Sequence, residues 1–219
     1  KKVSYYLDKI GYKYCIGEVM ASNEKWCQPL KVWEMMFKTW INQPEPKNLL
    51  DASIFFDLRT VYGSDYLVDK LRNIIINEAP EQNQFLYHLA NNAFNSKNQH
   101  IIANEYIDLK NAVIPIIMFA RVYALKNGIT NTNTLERLNM LREKNLIKEE
   151  LVKELIFIYG SLMKYRFKNQ LINIENQIEI SNKMLIGSIS ETELSLLKKL
   201  VSSIPDYISL LKYDFRLDV

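Results

Sequence analysis

Ser53-Ile54-Phe55-Phe56-Asp57-Leu58-Arg59-Thr60-Val61-Tyr62-Gly63 is the stretch on which the reading of the fold turns. It places an acid and a base two residues apart inside the most apolar short run of the N-terminal half. Ser53 to Val61 alternates as a strand would, and two-residue spacing in an extended chain sets Asp57 and Arg59 on one face. Burying either charge there costs several kcal/mol unless it is paired or bound to something. The two residues are therefore either a structural ion pair or part of a site. Gly63 breaks the run, and Ser64 stands where it can cap a following helix.

Upstream, Val3 to Ile10 reads as the end of a helix closed by Gly11. Tyr12 to Ala21 is aromatic and β-prone, with a kink at Gly17, and reads as a strand or extended segment. Pro29 suits the first turn of a helix whose apolar stripe is Leu30, Trp33, Phe37 and Trp40. Pro44 and Pro46 end that helix. Downstream of Ser64, Leu67, Leu71 and Ile74 form a stripe, and Pro80 starts a helix with Phe85, Leu89 and Phe94 in the core. Asn95 to His100 reads as a polar loop and Ile101 to Lys110 as extended.

From Val113 onward everything reads as helix. Ile116, Phe119, Ala120 and Tyr123 line one helix, closed by Gly128, and Asn133 to Glu136 resembles a capping box. A helix follows to Lys144, then a long amphipathic one from Lys148 to Gln177. Gly187 lies in a break at Ile186 to Ser190. The last helix carries Leu194, Leu197, Val201, Ile204, Ile208 and Leu211, with a kink at Pro205. The expected class is mainly α with a small β part, in two units: a mixed part over 1–110 and an antiparallel helical bundle over 111–219.

Composition sets the outer limits. At 219 residues with 48% hydrophobic ones, the chain has ample material for a packed core. A net charge of +3, without a Lys/Arg cluster interleaved with aromatics, argues against nucleic acid as a partner. Cys15 and Cys27 have no C-x-x-C context and read as reduced thiols. His88 and His100 are too few and too isolated for a metal site. The longest apolar run, Ala112 to Ala120, contains Pro115 and falls far short of the ~20 residues of a membrane span. No signal peptide is visible. A cytoplasmic protein without a membrane partner is expected. The chain opens on Lys1-Lys2 without a methionine and enters a helical pattern at once, so it reads as part of a longer protein.

Three further features bear on chemistry. Asp108-Leu109-Lys110 is a second acid–base couple, a weak signal that by itself reads first as a solvated turn. Ile156, Tyr159, Met163, Arg166, Gln170, Asn173 and Gln177 step by three and four, one helical stripe that begins apolar and turns polar. Beside an apolar face, that polar end is either a wet binding groove or a solvated edge. No G-x-S-x-G, Cys–His, phosphate-loop or G-x-G-x-x-G arrangement is present.

At Gly11 to Trp33, G-Y-K-Y-C-I-G-E-V-M-A-S-N-E-K-W-C-Q-P-L-K-V-W, and at Ile54 to Gly63, I-F-F-D-L-R-T-V-Y-G, the chain resembles a bacterial family of nucleotidyltransferase-like proteins. These sit C-terminal to cyclic-nucleotide-binding and CBS domains and are similar to PII-uridylyltransferase and glutamine-synthetase adenylyltransferase. The resemblance continues through Asp108-Leu109-Lys110, Pro115-Ile116, Ala120 to Leu125, Thr134 to Leu138, Arg166 to Gln170 and Asn176-Gln177-Ile178, and so spans nearly the whole chain.

The resemblance implies the C-terminal portion of a polymerase-β-like nucleotidyltransferase α/β region, followed by a helical substrate-binding domain. It implies a signalling role, with metal-dependent transfer of a nucleotidyl group to a protein or small acceptor. The cofactors would be Mg²⁺ and a nucleoside triphosphate, the metal neutralising phosphate charge. Asp57 is then a candidate catalytic or site-supporting acid with Arg59 as its partner. Asp108, Lys110, Arg121, Arg137, Arg166 and Gln170 would line a substrate cleft between the two units. The family's metal carboxylates lie in a G-S-x-x-R…T-D-x-D type motif before the G-Y-x-x-C segment, and no Asp-x-Asp pair occurs in these residues. The metal ligands are therefore unassigned, and the chain alone is expected to be inactive. The family's Pro- and Gly-containing hairpin before D-L-K is also missing, since Asn95 to Tyr106 is short and glycine-free. Two rival readings are a non-catalytic regulatory or protein-binding helical module, and a homodimer through the aromatic N-terminal region.

Overall fold

The computed structural model describes residues 2–97 and 101–217. Helices dominate, 68% of the described residues. They are α1 (Lys2–Lys9), α2 (Leu30–Asn42), α3 (Pro46–Phe55), α4 (Tyr66–Glu78), α5 (Asn83–Ser96), α6 (Leu109–Lys126), α7 (Thr134–Glu143), α8 (Glu149–Glu175), α9 (Glu191–Ile208) and α10 (Leu210–Asp214). Two three-residue strands, β1 (Tyr106–Asp108) and β2 (Lys183–Leu185), pair antiparallel with Ile107 opposite Met184. The mainly α class with a small β part is the class observed. The loop expected at Asn95 to His100 begins after Ser96, and His100 itself lies outside the described residues.

The strand expected over Ser53 to Val61 is a helix end and a turn instead. Pro46 occupies the first helical turn of α3, where its fixed φ is favourable. Leu49, Ala52 and Phe56, spaced by three and four, are its buried side. An aromatic cluster then decides the outcome. Phe55 lies 4.5 Å from Trp26, 4.9 Å from Trp33 and 5.6 Å from Trp40, centroid to centroid. Phe56 lies 5.1 Å from Phe37 and 6.0 Å from Phe85. Neighbouring residues of a strand point to opposite faces, whereas on a helix end both rings reach the same core. Aromatic pairs at these separations add to the area they bury.

The segment from Tyr12 to Ala21 forms no strand and runs irregularly between turns, with Glu18 at φ +55°. Pro46, read as ending α2, starts α3. β2 stands between the expected end of the long helix at Gln177 and the break that begins at Ile186, in a part of the chain read as wholly helical.

The helices after β1 follow the expected periodicity closely. α6 carries Pro115 within it and ends at Gly128, whose φ of +62° suits glycine. Asn133 caps α7 by accepting from the backbone N–H groups of Leu135 and Glu136. The expected reciprocal box is incomplete, because the Glu136 carboxylate accepts from Asn131. A complete capping box stands instead at Ser190 and Glu193, opening α9. α5 packs along α6, α6 against α7, α8 and α9, and Tyr123 of α6 donates to Asp214 of α10 at 2.5 Å. One core of buried side chains runs from Trp26 to Leu217 and crosses residue 110 without a break. Cys15 and Cys27 are free and exposed. Among the described residues, no helix is long and apolar enough to cross a membrane.

Replacing Phe56 by Ala empties the junction of α2, α3 and α5 and is expected to cost about 3–5 kcal/mol in urea denaturation. Replacing Val61, 91% exposed, by Ala is expected to change stability by less than about 0.5 kcal/mol. Equal losses for the two would contradict the helix-end placement.

Candidate functional site

Phe55 and Phe56 are held by the aromatic cluster, so the next residue leaves α3 at a set point. That residue is Asp57, and its carboxylate meets two guanidiniums. Arg121, on α6, donates from Nη2 to Oδ2 at 2.5 Å. Arg137, on α7, donates from Nη2 to Oδ1. The Arg137 side chain is 3% exposed, that of Arg121 16% and that of Asp57 25%. Burial pushes the Asp57 carboxyl up. The Arg121 and Arg137 charges and the hydrogen bonds from both outweigh it and hold the carboxyl below its ordinary value of 3.8.

A third arginine approaches from α4, where Arg72 donates to the Leu58 carbonyl at 3.2 Å. The donors exceed the acceptors here. Nε of Arg72, Nε of Arg121, and Nε and Nη1 of Arg137 are buried without partners, as is the Thr60 hydroxyl. Among the described residues, Asp57 is the carboxylate that Arg121 and Arg137 share, while Arg72 reaches the neighbouring Leu58 carbonyl.

Arg59, expected as the partner of Asp57, is exposed and joins no ion pair among the described residues. The two residues share no strand face, because there is no strand. The six residues expected along one cleft fall into two places. Arg121 and Arg137 go to Asp57. Asp108, Lys110, Arg166 and Gln170 gather around Asn182 at the opposite end of α6. Asp108 caps α6, accepting from the backbone N–H of Asn111 at 2.9 Å and its amide at 3.1 Å. Arg166 Nε and Gln170 Nε2 both donate to Asn182 Oδ1, at 2.8 and 3.2 Å. Asn169 donates to the carbonyl of Ser181 at 2.9 Å, and the Asn182 carbonyl accepts from Leu109 N–H. Asp108, Lys110, Ser181, Asn182 and Lys183 line an open groove of about 440 Å³. At 1.5 Å per residue, the thirteen residues from Asp108 to Arg121 set the two places about 20 Å apart.

Arg72, Ser181, Asn182 and Lys183 are among the residues of these places that escaped the sequence reading. Arg72 carried a weak signal, a cation between Leu71 and the buried Ile75 on one helix side. Ser181, Asn182 and Lys183 carried none.

Residues 83–215 match the family described as putative nucleotidyltransferase substrate binding domain. That is more than half of the chain, and the chain belongs to this family. Residues 1–47 match a second family, described as putative nucleotidyltransferase. No curated protein matches the chain. Nucleotidyltransferases imply a nucleotide and, as a rule, a divalent metal. The residues at Asp57 do not fit a metal, since both carboxylate oxygens already accept from guanidiniums. Among the described residues, no three of His, Cys, Asp and Glu converge elsewhere.

Asp57→Asn leaves Arg137 buried opposite a neutral amide and is expected to cost about 3–5 kcal/mol near neutral pH. Because the folded carboxyl titrates below 3.8, the contribution is complete above that value. It fades as the pH falls through the lowered folded value. The stability gap between the two proteins, followed by thermal unfolding across pH, should close on the acid side. A gap independent of pH would show that the charge of Asp57 is not what matters.

Proposed function

We propose that this chain supplies substrate recognition to a signalling nucleotidyltransferase, and that its Asn182 groove takes part of the nucleotide or the acceptor. One observation carries the reading: of four residues picked from sequence, Arg166 and Gln170 donate to Asn182, and Asp108 and Lys110 line the same groove, within the stretch that matches a substrate-binding family. Lys110 and Lys183 stand on the rim beside the carboxylates of Asp108 and Glu179, while Arg166 and Gln170 hold Asn182 in place. The volume suits a small polar ligand or a segment of a protein acceptor. Asp57, Arg121 and Arg137 act as a clamp that fixes α3 against α6 and α7. The metal carboxylates of the transfer reaction are not among the residues of this site. The acceptor is a protein or a small molecule, and regulatory domains of the CBS or cyclic-nucleotide-binding kind are the expected companions in the cytoplasm.

The rival, a non-catalytic regulatory module, draws support from the same clamp, because a carboxylate held by two arginines has no oxygen left for a metal. Transfer of label from a nucleoside triphosphate, with Mg²⁺ and candidate acceptors, separates the two when assayed on the protein as its gene encodes it. Lys110→Gln is expected to raise KM about tenfold with kcat unchanged, the pattern of a lost binding contact. A fall in kcat at constant KM would overturn the recognition role. Absence of transfer with every nucleotide would favour the regulatory module.

A further inference from the structure

α8 packs against α6, α7 and α9, yet one side of it faces solvent with apolar residues. Gly160, Met163, Phe167, Leu171 and Ile174 step by three, four, four and three, one stripe of the helix. Phe167, Leu171 and Ile174 are each more than half exposed, while Arg166 and Gln170 beside them turn away to Asn182. A Cβ added at Gly160 would meet nothing within 4 Å, so the stripe begins on bare, open backbone. A glycine inside an exposed helix costs stability, and one use of it is close approach by another chain. Two charges flank the stripe on one side, Lys164 and Glu175. Among the described residues, α8 forms ion pairs through Lys153 with Glu149 and Lys168 with Glu193, and neither Lys164 nor Glu175 joins one. Glu175 also ends α8, where the helix dipole disfavours a carboxylate.

We propose that this stripe is a self-complementary face on which a second copy of the chain docks its own α8, antiparallel, across a two-fold axis beside residue 169. Such an axis sets Phe167 against the partner's Leu171, and Leu171 against the partner's Phe167. The flank of one helix then meets the same flank of the other, and Lys164 comes to the partner's Glu175 at both ends of the contact. Charge selects this occupant and this direction. Lys164 and Glu175 stand at nearly equal distances on either side of the axis, so each meets its opposite when the helices run antiparallel. A parallel pair would set Lys164 against the partner's Lys164, which repels. The contact uses one patch twice, as a closed two-fold dimer does. It removes from water the apolar side chains that a monomer leaves there, and it gives the carboxylate at the end of α8 the cation it lacks. This face is distinct from the aromatic N-terminal region and from the Asn182 groove, and the inference does not depend on nucleotidyl transfer.

Sedimentation equilibrium of the 219-residue chain reads the association over about 1 to 500 µM, since such a dimer dissociates on dilution. A dimer is expected within that range. Phe167→Glu should weaken it about tenfold or more, the loss of an apolar anchor at the centre of the contact. Because that ring is exposed in the single chain, the circular dichroism spectrum should not change. Lys164→Glu and Glu175→Lys each set like charges against the partner, and each should weaken the dimer several-fold. The two substitutions together exchange the charges and should restore it, a rescue that a purely apolar or differently directed contact would not give. Tyr6→Ser, at an exposed position of α1, should leave the dimer intact. A chain that stays monomeric throughout, a dimer lost in Tyr6→Ser but kept in Phe167→Glu, or a charge exchange that fails to restore association would each overturn the proposal.

Discussion

Asp57 is the point at which three helices are tied together. One carboxylate oxygen accepts from α6 and the other from α7, while the backbone arrives directly from α3. Two opposed effects meet there. Taking the charges out of water is costly, and the attraction in the drier interior recovers that cost when both oxygens are used. The lowered carboxyl pKa gives the sign of the balance: the ionised form is the one the fold favours. The pair depends in turn on the aromatic grip on Phe55 and Phe56. Without it the chain would not leave α3 at the place where Arg121 and Arg137 can both reach.

That arrangement constrains chemistry as well as stability. A carboxylate that accepts from two guanidiniums is a poor metal ligand and a poor proton acceptor, because either task requires breaking a pair. Membership of a substrate-binding family agrees with this division of labour. The single carboxylate does not exhaust the donors of Arg121 and Arg137, whose remaining Nε groups stay buried without partners.

Periodic features were legible in the residues. The stripe of α2, the core positions of α5 and the helices from α6 onward follow spacing by three and four, and burial bears them out. The Ser53 to Val61 run misled because its alternation coexists with a helical spacing at Leu49, Ala52 and Phe56 that starts outside the run. Tertiary packing of two adjacent phenylalanines chose the helix. The Tyr12 to Ala21 segment has strand-like composition, yet composition provides no neighbouring strand to bond with. The partners of Asp57 lie 64 and 80 residues away, so no local spacing could name them, although Arg121 stood out as a charge in an apolar helix. β2, three residues long, is below what a period can reveal.

The polar stripe of α8 shows how a legible pattern can conceal its use. From the residues it was either a groove or a wet edge. Its amides and its arginine instead turn onto the chain that follows the helix, fixing Ser181 and Asn182 in place. Asn182 in turn holds Leu109 N–H at the start of α6. The stripe is therefore the support of the groove that Lys110 and Lys183 line. α6 carries that site at its first turn and the Asp57 clamp three turns further on. One helix thus places both, and the clamp that fixes α6 against α3 and α7 also fixes where the groove at its first turn stands.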